Sequence, residues 1–467
     1  MFILYNKMRV LSIEICVYLG YNKAKSYNNK ELDFMKIGIV GLGYFSDDFV
    51  RLFNIHPDVE EVVVADLDEK RVKASMEKHH LKRGFSSFEE MLEQAPDLDC
   101  IGIYTQRHLH GPMIVKAMKM GKNVISAVPI GCSVEEIEEI IKLSKETGKI
   151  YMMAETCYYY PCAIFCREKY KTGEMGRFVY GESQYYHDIC EMYLDFQHTG
   201  GPNWRRVAGI PPMFYPTHSI SMLFSAINEH ALKVSCMGYR DNHEDNIYGE
   251  DKNNWQNPFS NETALFQMSG GGIARINEFR RVGINKPSSY ITCMYGEKAS
   301  YECSVTNHSY QIGVASGKEP YIEDVGNLVN TIAYNEDLKN GKIDMNRDPI
   351  STKYIVGFAA IQDRSRLPKT FRNNPKFAHY NTHPFLVDDF VRAATTGKLP
   401  PNNAWDAARY MIPGLIAHES ALKGGVLLDI PDFGAAPENW EKITYDLKDS
   451  YEDTSRFYEV AKGYLDV

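Results

Sequence analysis

A surplus of positive charge is what this chain most plainly lacks. Its 467 residues carry 52 Lys and Arg against 61 Asp and Glu, a net charge of −9. No basic stripe breaks that balance, so nucleic acid is not an expected partner. Long apolar runs are missing too. Leu11–Leu19 is short and interrupted by Glu14, which argues against a membrane span. The ten cysteines are scattered without the spacing of a disulfide framework, which suits a reducing, cytoplasmic setting. Cys157, Cys162 and Cys166 cluster, but the turn at Pro161 interrupts them and a fourth ligand is missing, so no metal site is expected there. His379 and His383 have i, i+4 spacing, yet Pro384 interrupts a helix through both, and no carboxylate is spaced beside them. Internal repeats and low-complexity segments are absent. Basic nucleic-acid binders, membrane proteins and disulfide-stapled secreted domains are thereby set aside.

What the chain has is an alternation of apolar runs and helical patterns from Lys36 to about Ala154. Ile37–Val40 meets Gly41-Leu42-Gly43, a helical segment follows, and a second apolar run, Val62–Ala65, ends at Asp66. That strand–turn–helix–strand–acid order is the pattern of a dinucleotide site. Gly41 permits the tight turn, Gly43 lets a pyrophosphate approach the backbone, and the helix N-terminus supplies N–H donors. Ser46 stands at the third fingerprint position and is small enough for close packing. Gly41, Gly43, Tyr44, Phe45, Ser46 and Asp66 are the expected cofactor contacts. Asp66 accepts the adenosine ribose hydroxyls and repels a 2′-phosphate, so the expected cofactor is NAD, not NADP.

Cys100–Tyr104, Asn123–Ala127 and Ile150–Ala154 read as further buried parallel strands. Ser133-x-x-Glu136 is a capping box ahead of Ile137, Ile140 and Ile141, and Gly148 ends that helix. After Tyr160 the pattern changes. Arg177–Tyr186, Lys233–Tyr239, Thr263–Ser269, Gly272–Arg281, Ser289–Tyr295 and Ala299–Val305 have strand character with Gly-containing turns, which predicts an antiparallel sheet open on one face. Leu328–Leu367 reads as an irregular surface excursion. Helices are expected over Pro384–Thr395 and Ala404–Gly424, the second kinked by Pro413. The predicted organisation is a disordered or non-native extension over 1–34, a Rossmann domain over 35–155, an α/β domain with a large open sheet and C-terminal helices over 156–432, and a tail over 433–467.

These segments resemble the Gfo/Idh/MocA oxidoreductase superfamily from Lys36 to about Asp432. Tyr104-Thr105-Gln106-Arg107-His108-Leu109-His110 stands in the place of that family's Thr-Pro-Asn-x-x-His, with Thr105 and His110 matching. Gly121-Lys122-Asn123-Val124 matches its G-K-x-V. Where most relatives carry Glu-Lys-Pro, with a lysine near the nicotinamide, this chain has Ala127-Val128-Pro129. The resemblance implies that Thr105, His110 and Val128 border the cofactor and that the usual lysine is gone.

The chain also resembles a branch with Val-Pro at this point, the NAD-dependent glycosidases of the α-N-acetylgalactosaminidase type. Glu155 resembles their acid after the sixth strand, Tyr185 and His187 their Tyr-x-His, and Tyr215 and His218 their Tyr-Pro-Thr-His. Trp204-Arg205 matches an upstream Trp-Arg pair. Ala127 replaces the branch's glutamate, and Ser219-Ile220-Ser221 replaces its Gly-rich continuation. The resemblance implies catalytic roles for Glu155, Tyr185, His187, Tyr215 and His218, and substrate contacts for Trp204 and Arg205. The expected substrate is a carbohydrate or cyclic polyol. The expected chemistry is hydride transfer from a sugar carbon, with cofactor-recycling glycosidase chemistry or a non-catalytic regulator as alternatives. A homo-oligomer pairing through the open sheet is implied as well. Richness in Tyr and Phe (31 and 22 residues) fits a sugar-stacking cleft, a tyrosine-rich core or an oligomer face equally.

Overall fold

The computed structural model describes residues 34–283, 290–303, 307–343, 356–372 and 378–452. The expected extension over 1–34 lies outside them but for Phe34, as does the end of the predicted tail.

Six short strands form the first sheet: β1 (Met35–Val40), β2 (Val59–Ala65), β3 (Gly84–Phe85), β4 (Cys100–Ile103), β5 (Asn123–Ser126) and β6 (Tyr151–Met153). Their order is β3-β2-β1-β4-β5-β6, parallel throughout. The apolar runs seen in the sequence become strands buried on both faces, as helices on either side require. The order reverses between β1 and β4, and the carboxyl ends there carry Gly41 and Tyr104, with Asp66 just past β2. This switch point is where doubly wound sheets hold ligands.

Nine strands build the second sheet: β7 (Phe178–Tyr186), β8 (Ala231–Arg240), β9 (Phe259–Met268), β10 (Ile273–Phe279), β11 (Tyr290–Gly296), β12 (Ala299–Cys303), β13 (His308–Ile312), β14 (Tyr321–Asp324) and β15 (Leu428–Asp429). The order is β14-β13-β12-β11-β7-β10-β9-β8-β15, with β7 and β10 parallel and the other pairs antiparallel. Ala264, Phe266, Ala274 and Ile276 point to the covered face, where the Thr217–Ile227 and Ala404–Leu422 helices pack. Met237, Tyr239, Leu265 and Ile273 stay exposed on the other face.

Two expectations need correction. The His383–Thr396 helix belongs to the first domain's core, not the second's: Phe385, Leu386, Phe390 and Val391 join one cluster with Ile37, Phe49 and Phe53. The Rossmann sheet needs cover on that face, and a segment distant in sequence supplies it. The Ala404–Leu422 helix carries Pro413 inside it, flanked by buried Ile412, Gly414 and Leu415. The excursion after Leu328 contains a helix, Ile332–Lys339, capped by the Thr331 hydroxyl and anchored by buried Tyr334. Part of that excursion, 344–355, lies outside the described residues. Of the predicted tail, residues up to Glu452 pack onto the first domain: Lys448 bonds Asp58 (2.6 Å) and Tyr451 donates to Asp388 (2.5 Å).

Candidate active site

The cofactor half of the site is a cleft of about 1150 Å³ lined by Gly41, Leu42, Gly43, Tyr44, Phe45, Asp66, Arg71, Tyr104, Thr105 and Arg107 from the first domain, closed by Met192, Phe196, Val207 and Ile210 from the second. Gly41 has φ +90°, and a Cβ there would sit 2.6 Å from the Tyr104 carbonyl oxygen. Gly43 differs. Its φ is −79°, which any residue adopts, and a Cβ would meet nothing within 4 Å. The space above Gly43 belongs to no protein atom, which fits a pyrophosphate. Asp66 accepts from the Leu42 N–H (2.7 Å) and the Asp68 N–H (2.9 Å), so its carboxylate is fixed at the cleft while keeping lone pairs for ribose hydroxyls. These residues fit a dinucleotide.

Three expected cofactor contacts sit behind the cleft wall instead of in it. The buried Ser46 hydroxyl donates to the Gly43 carbonyl (2.8 Å) and pins the turn. His110 is buried with its two ring nitrogens facing the carbonyls of Pro129 (2.8 Å) and Thr105 (3.0 Å). Burial pushes its pKa down, against those carbonyls. It couples the Thr105 loop to the segment after β5. Val128 is 6% exposed and packs into the main core.

The proton-active residues converge from three elements. Glu155 follows β6, Tyr185 and His187 lie at the end of β7, and Tyr215 and His218 flank Pro216 at the start of the Thr217–Ile227 helix. Glu155 is fully buried. Its Oε1 accepts from His218 Nδ1 at 2.7 Å and from the Cys157 N–H at 2.8 Å. That bond fixes the imidazole ring and its tautomer, and His218 Nε2 has no partner among the described residues. The Tyr185 hydroxyl is hydrogen-bonded to His187 Nδ1. The Tyr185 ring lies 5.1 Å from the His218 ring, 6.1 Å from that of Tyr215 and stacked at 4.9 Å on Tyr290. Burial pushes the phenols of Tyr185, Tyr215 and Tyr290 up. They stay protonated at neutral pH and are able to donate.

Glu155, Cys157 and His218 each offer a ligand atom within 4.8 Å of the others. The carboxylate and imidazole already bond each other, and burial pushes the Cys157 thiol far up, away from the thiolate a metal prefers.

Trp204 and Arg205, expected to touch substrate, begin the short helix Trp204–Ala208. Trp204 is buried in a local cluster with Ile189, Ala208, Ile247 and Tyr248, while exposed Arg205 donates to the Asp245 carbonyl (3.1 Å). Neither lines the cleft. The same short helix aims Val207 at it, and Ile210 follows just beyond. Arg280 and Arg281 are engaged in ion pairs with Glu278 (2.8 Å) and Asp245 (2.5 Å).

Sequence reasoning missed Tyr290 and Arg107. Tyr290 pairs with Tyr185 across β7 and β11, a register no single sequence displays. Arg107 did carry a signal, because it stands at the asparagine position of the Thr-Pro-Asn-x-x-His segment.

Comparison with known proteins agrees with this geometry. Residues 35–155 match the profile of the GFO_IDH_MocA oxidoreductase family, described as an NAD-binding Rossmann fold. A glycosyl hydrolase family 109 protein of Streptomyces filamentosus is 24% identical over 439 residues, covering 87% of this chain and 78% of that protein. An alpha-N-acetylgalactosaminidase of Bacteroides fragilis is 30% identical over 138 residues, 29% of this chain and 32% of that one. Among solved structures, levoglucosan dehydrogenase in complex with NADH superposes with a TM-score of 0.65 at 14% identity, covering 85% of this chain and 100% of that one, which shows the shared fold. Residues 35–155 match that family's NAD-binding Rossmann fold, and the glycine turn with room for a pyrophosphate and the fixed Asp66 fit NAD there.

Proposed function

We propose that this protein oxidises a hydroxyl-bearing carbon of a carbohydrate or cyclic polyol. NAD, held by the Gly41–Ser46 turn and Asp66, supplies the hydride acceptor. The observation that carries the reading is the Glu155–His218 pair, buried and ordered at 2.7 Å beside three protonated tyrosines. His218 Nε2 takes the hydroxyl proton, and the Glu155 carboxylate stabilises the imidazolium that results. Tyr185, held by His187, and Tyr215 orient sugar hydroxyls as donors. This assigns to His218 the work that a lysine at position 128 does in relatives carrying one.

A second reading is favoured by the Streptomyces relative, which matches over most of both chains, and by the number of proton-active groups. In cofactor-recycling glycoside hydrolysis, oxidation at C3 acidifies the C2 proton, a base removes it, the aglycone leaves, water adds and the hydride returns. His218 would be the base and a tyrosine the acid. One experiment separates the two. Incubate the NAD-loaded protein in D₂O with aryl glycosides and free sugars, and follow both NADH absorbance and product isotopes. Net oxidation accumulates NADH in proportion to oxidised sugar. Recycling releases aglycone with only catalytic cofactor and leaves deuterium at C2. Neither NADH nor aglycone from any sugar would overturn both readings.

A further inference from the structure

The described carboxylates around the tyrosine cluster are engaged. Glu155 holds His218 and the Cys157 N–H. Glu278 accepts from Ser219 and from Arg280 (2.8 Å). Asp241 and Asp245 hold Arg281 at 2.9 and 2.5 Å. Arg107 stands apart from this pairing. Its guanidinium lies 3.9 Å from the Tyr215 ring centroid and 5.8 Å from that of Phe196, and it lines the cleft. Its N–H groups have no hydrogen bond or ion pair among the described residues. Aromatic contact holds the planar group in place while leaving its donor edge free. Tyr215 in turn lies 5.1 Å from the His218 ring, so one aromatic ring links the cation to the proposed base.

We infer that Arg107 recognises an oxyanion on the sugar, so that the substrate is an acidic carbohydrate bearing a carboxylate or a phosphate. The inference rests on the carbohydrate reading above and adds the charge of the substrate to it. A carboxylate or phosphate would meet the guanidinium edge in a bidentate pair, the geometry in which arginine binds anions best. A neutral sugar would leave a half-buried cation facing hydroxyls alone. The position has further meaning because Val128 carries no charge, so Arg107 is the fixed cation at the point where the two domains' contributions to the cleft meet.

The test uses the NAD-loaded full chain. Measure binding of glucuronate, galacturonate and glucose 6-phosphate against glucose and galactose by calorimetry, in wild type, Arg107→Gln and Arg107→Lys, and titrate NAD into each stripped protein. The wild type should prefer at least one anionic sugar by about 10- to 100-fold, the range of a charged hydrogen-bonded pair. Uronate against phosphate preference tells the two anions apart. Arg107→Gln should lose the anionic preference by a larger factor than any loss of NAD affinity, and Arg107→Lys should restore part of it. Sugars bound without regard to charge would overturn this inference and leave the carbohydrate reading standing. An Arg107→Gln protein that loses NAD affinity and keeps its sugar preference would assign Arg107 to the cofactor instead. If no sugar of either kind binds the wild type, the carbohydrate reading fails and this inference with it.

Discussion

His218 and the two turn glycines are where single substitutions separate chemistry from folding. Removing the base in His218→Ala should lower turnover on an identified sugar by about 10²–10⁴-fold, the usual share of a general base, with NAD titration unchanged because the cofactor cradle lies in the other domain. Glu155→Gln keeps the shape and removes the charge behind the imidazole, so kcat should fall while the sugar KM moves little; equal activity in either variant would remove the pair from the mechanism. Gly43→Ala and Gly41→Ala form a second contrast. A Cβ on Gly43 meets no protein atom at an ordinary φ, so thermal stability should stay within about 0.5 kcal/mol. The same methyl group enters the pyrophosphate space, so NAD affinity should drop at least tenfold. Gly41→Ala meets the Tyr104 carbonyl at 2.6 Å with φ +90°, so its melting temperature should fall. An unchanged NAD affinity in Gly43→Ala would remove the pyrophosphate from that turn.

Elements whose signal is local were legible in the sequence, and those defined by distant partners were not. The Gly41–Ser46 turn, the helix cap at Ser133 and the strand alternation of β7 to β10 each follow from residues a few positions apart, and each is present, although the Glu136 carboxylate reaches the Cys132 N–H and not that of Ser133. The His383–Thr396 helix was legible as a helix, but its membership was not, because its partners Ile37, Phe49 and Phe53 are hundreds of positions away. The burial of Trp204 was not legible for a related reason: a Trp-Arg pair says nothing about which side of a short helix faces the cofactor cleft. The recruited helix carries its own anchor. Asp388 is fully buried among His56, Arg366, Arg392 and Tyr451. Burial alone would push its carboxyl up, but the His56 bond and the two arginines hold it at about 2. A carboxyl depressed in the folded state contributes stability that is fully present above its unfolded pKa, near 4, and is lost as pH falls toward 2, about 2 kcal/mol here. Asp388→Asn should therefore cost about 3 kcal/mol at neutral pH, by leaving buried arginines underpaired, and should flatten the acid limb of the stability curve between pH 4 and 2. Denaturant melts across that range, in wild type and variant, read both effects, and parallel acid limbs would show that Asp388 does not carry the linkage.

At the scale of the whole molecule, one face of the nine-stranded sheet leaves an apolar surface exposed. Its covered side carries Tyr185 and the helices behind the site. Its other side presents Met237 at 66%, Tyr239 at 53%, Leu265 at 49% and Ile273 at 49% exposure on adjacent strands β8, β9 and β10. Scattered exposed apolar residues need no explanation, but a contiguous group on a flat sheet is the kind of surface that proteins bury in association. Polar neighbours on the same side, Arg275 with Glu182 and Asn277 with Gln184, are paired within the sheet, so they leave that surface with little net charge to oppose association. A two-fold pairing of such faces buries the same row on both copies. The expected state is therefore a homo-oligomer through this sheet, with each copy's cleft on the far side and open. Light scattering on the wild type should return a multiple of the 53.4 kDa chain mass. The double variant Leu265→Asp/Ile273→Asp should shift that mass to a single chain while its NAD affinity holds, because neither residue approaches the cofactor cleft. A monomeric wild type would exclude the pairing, and an oligomer indifferent to both charges would place its interface elsewhere on the molecule.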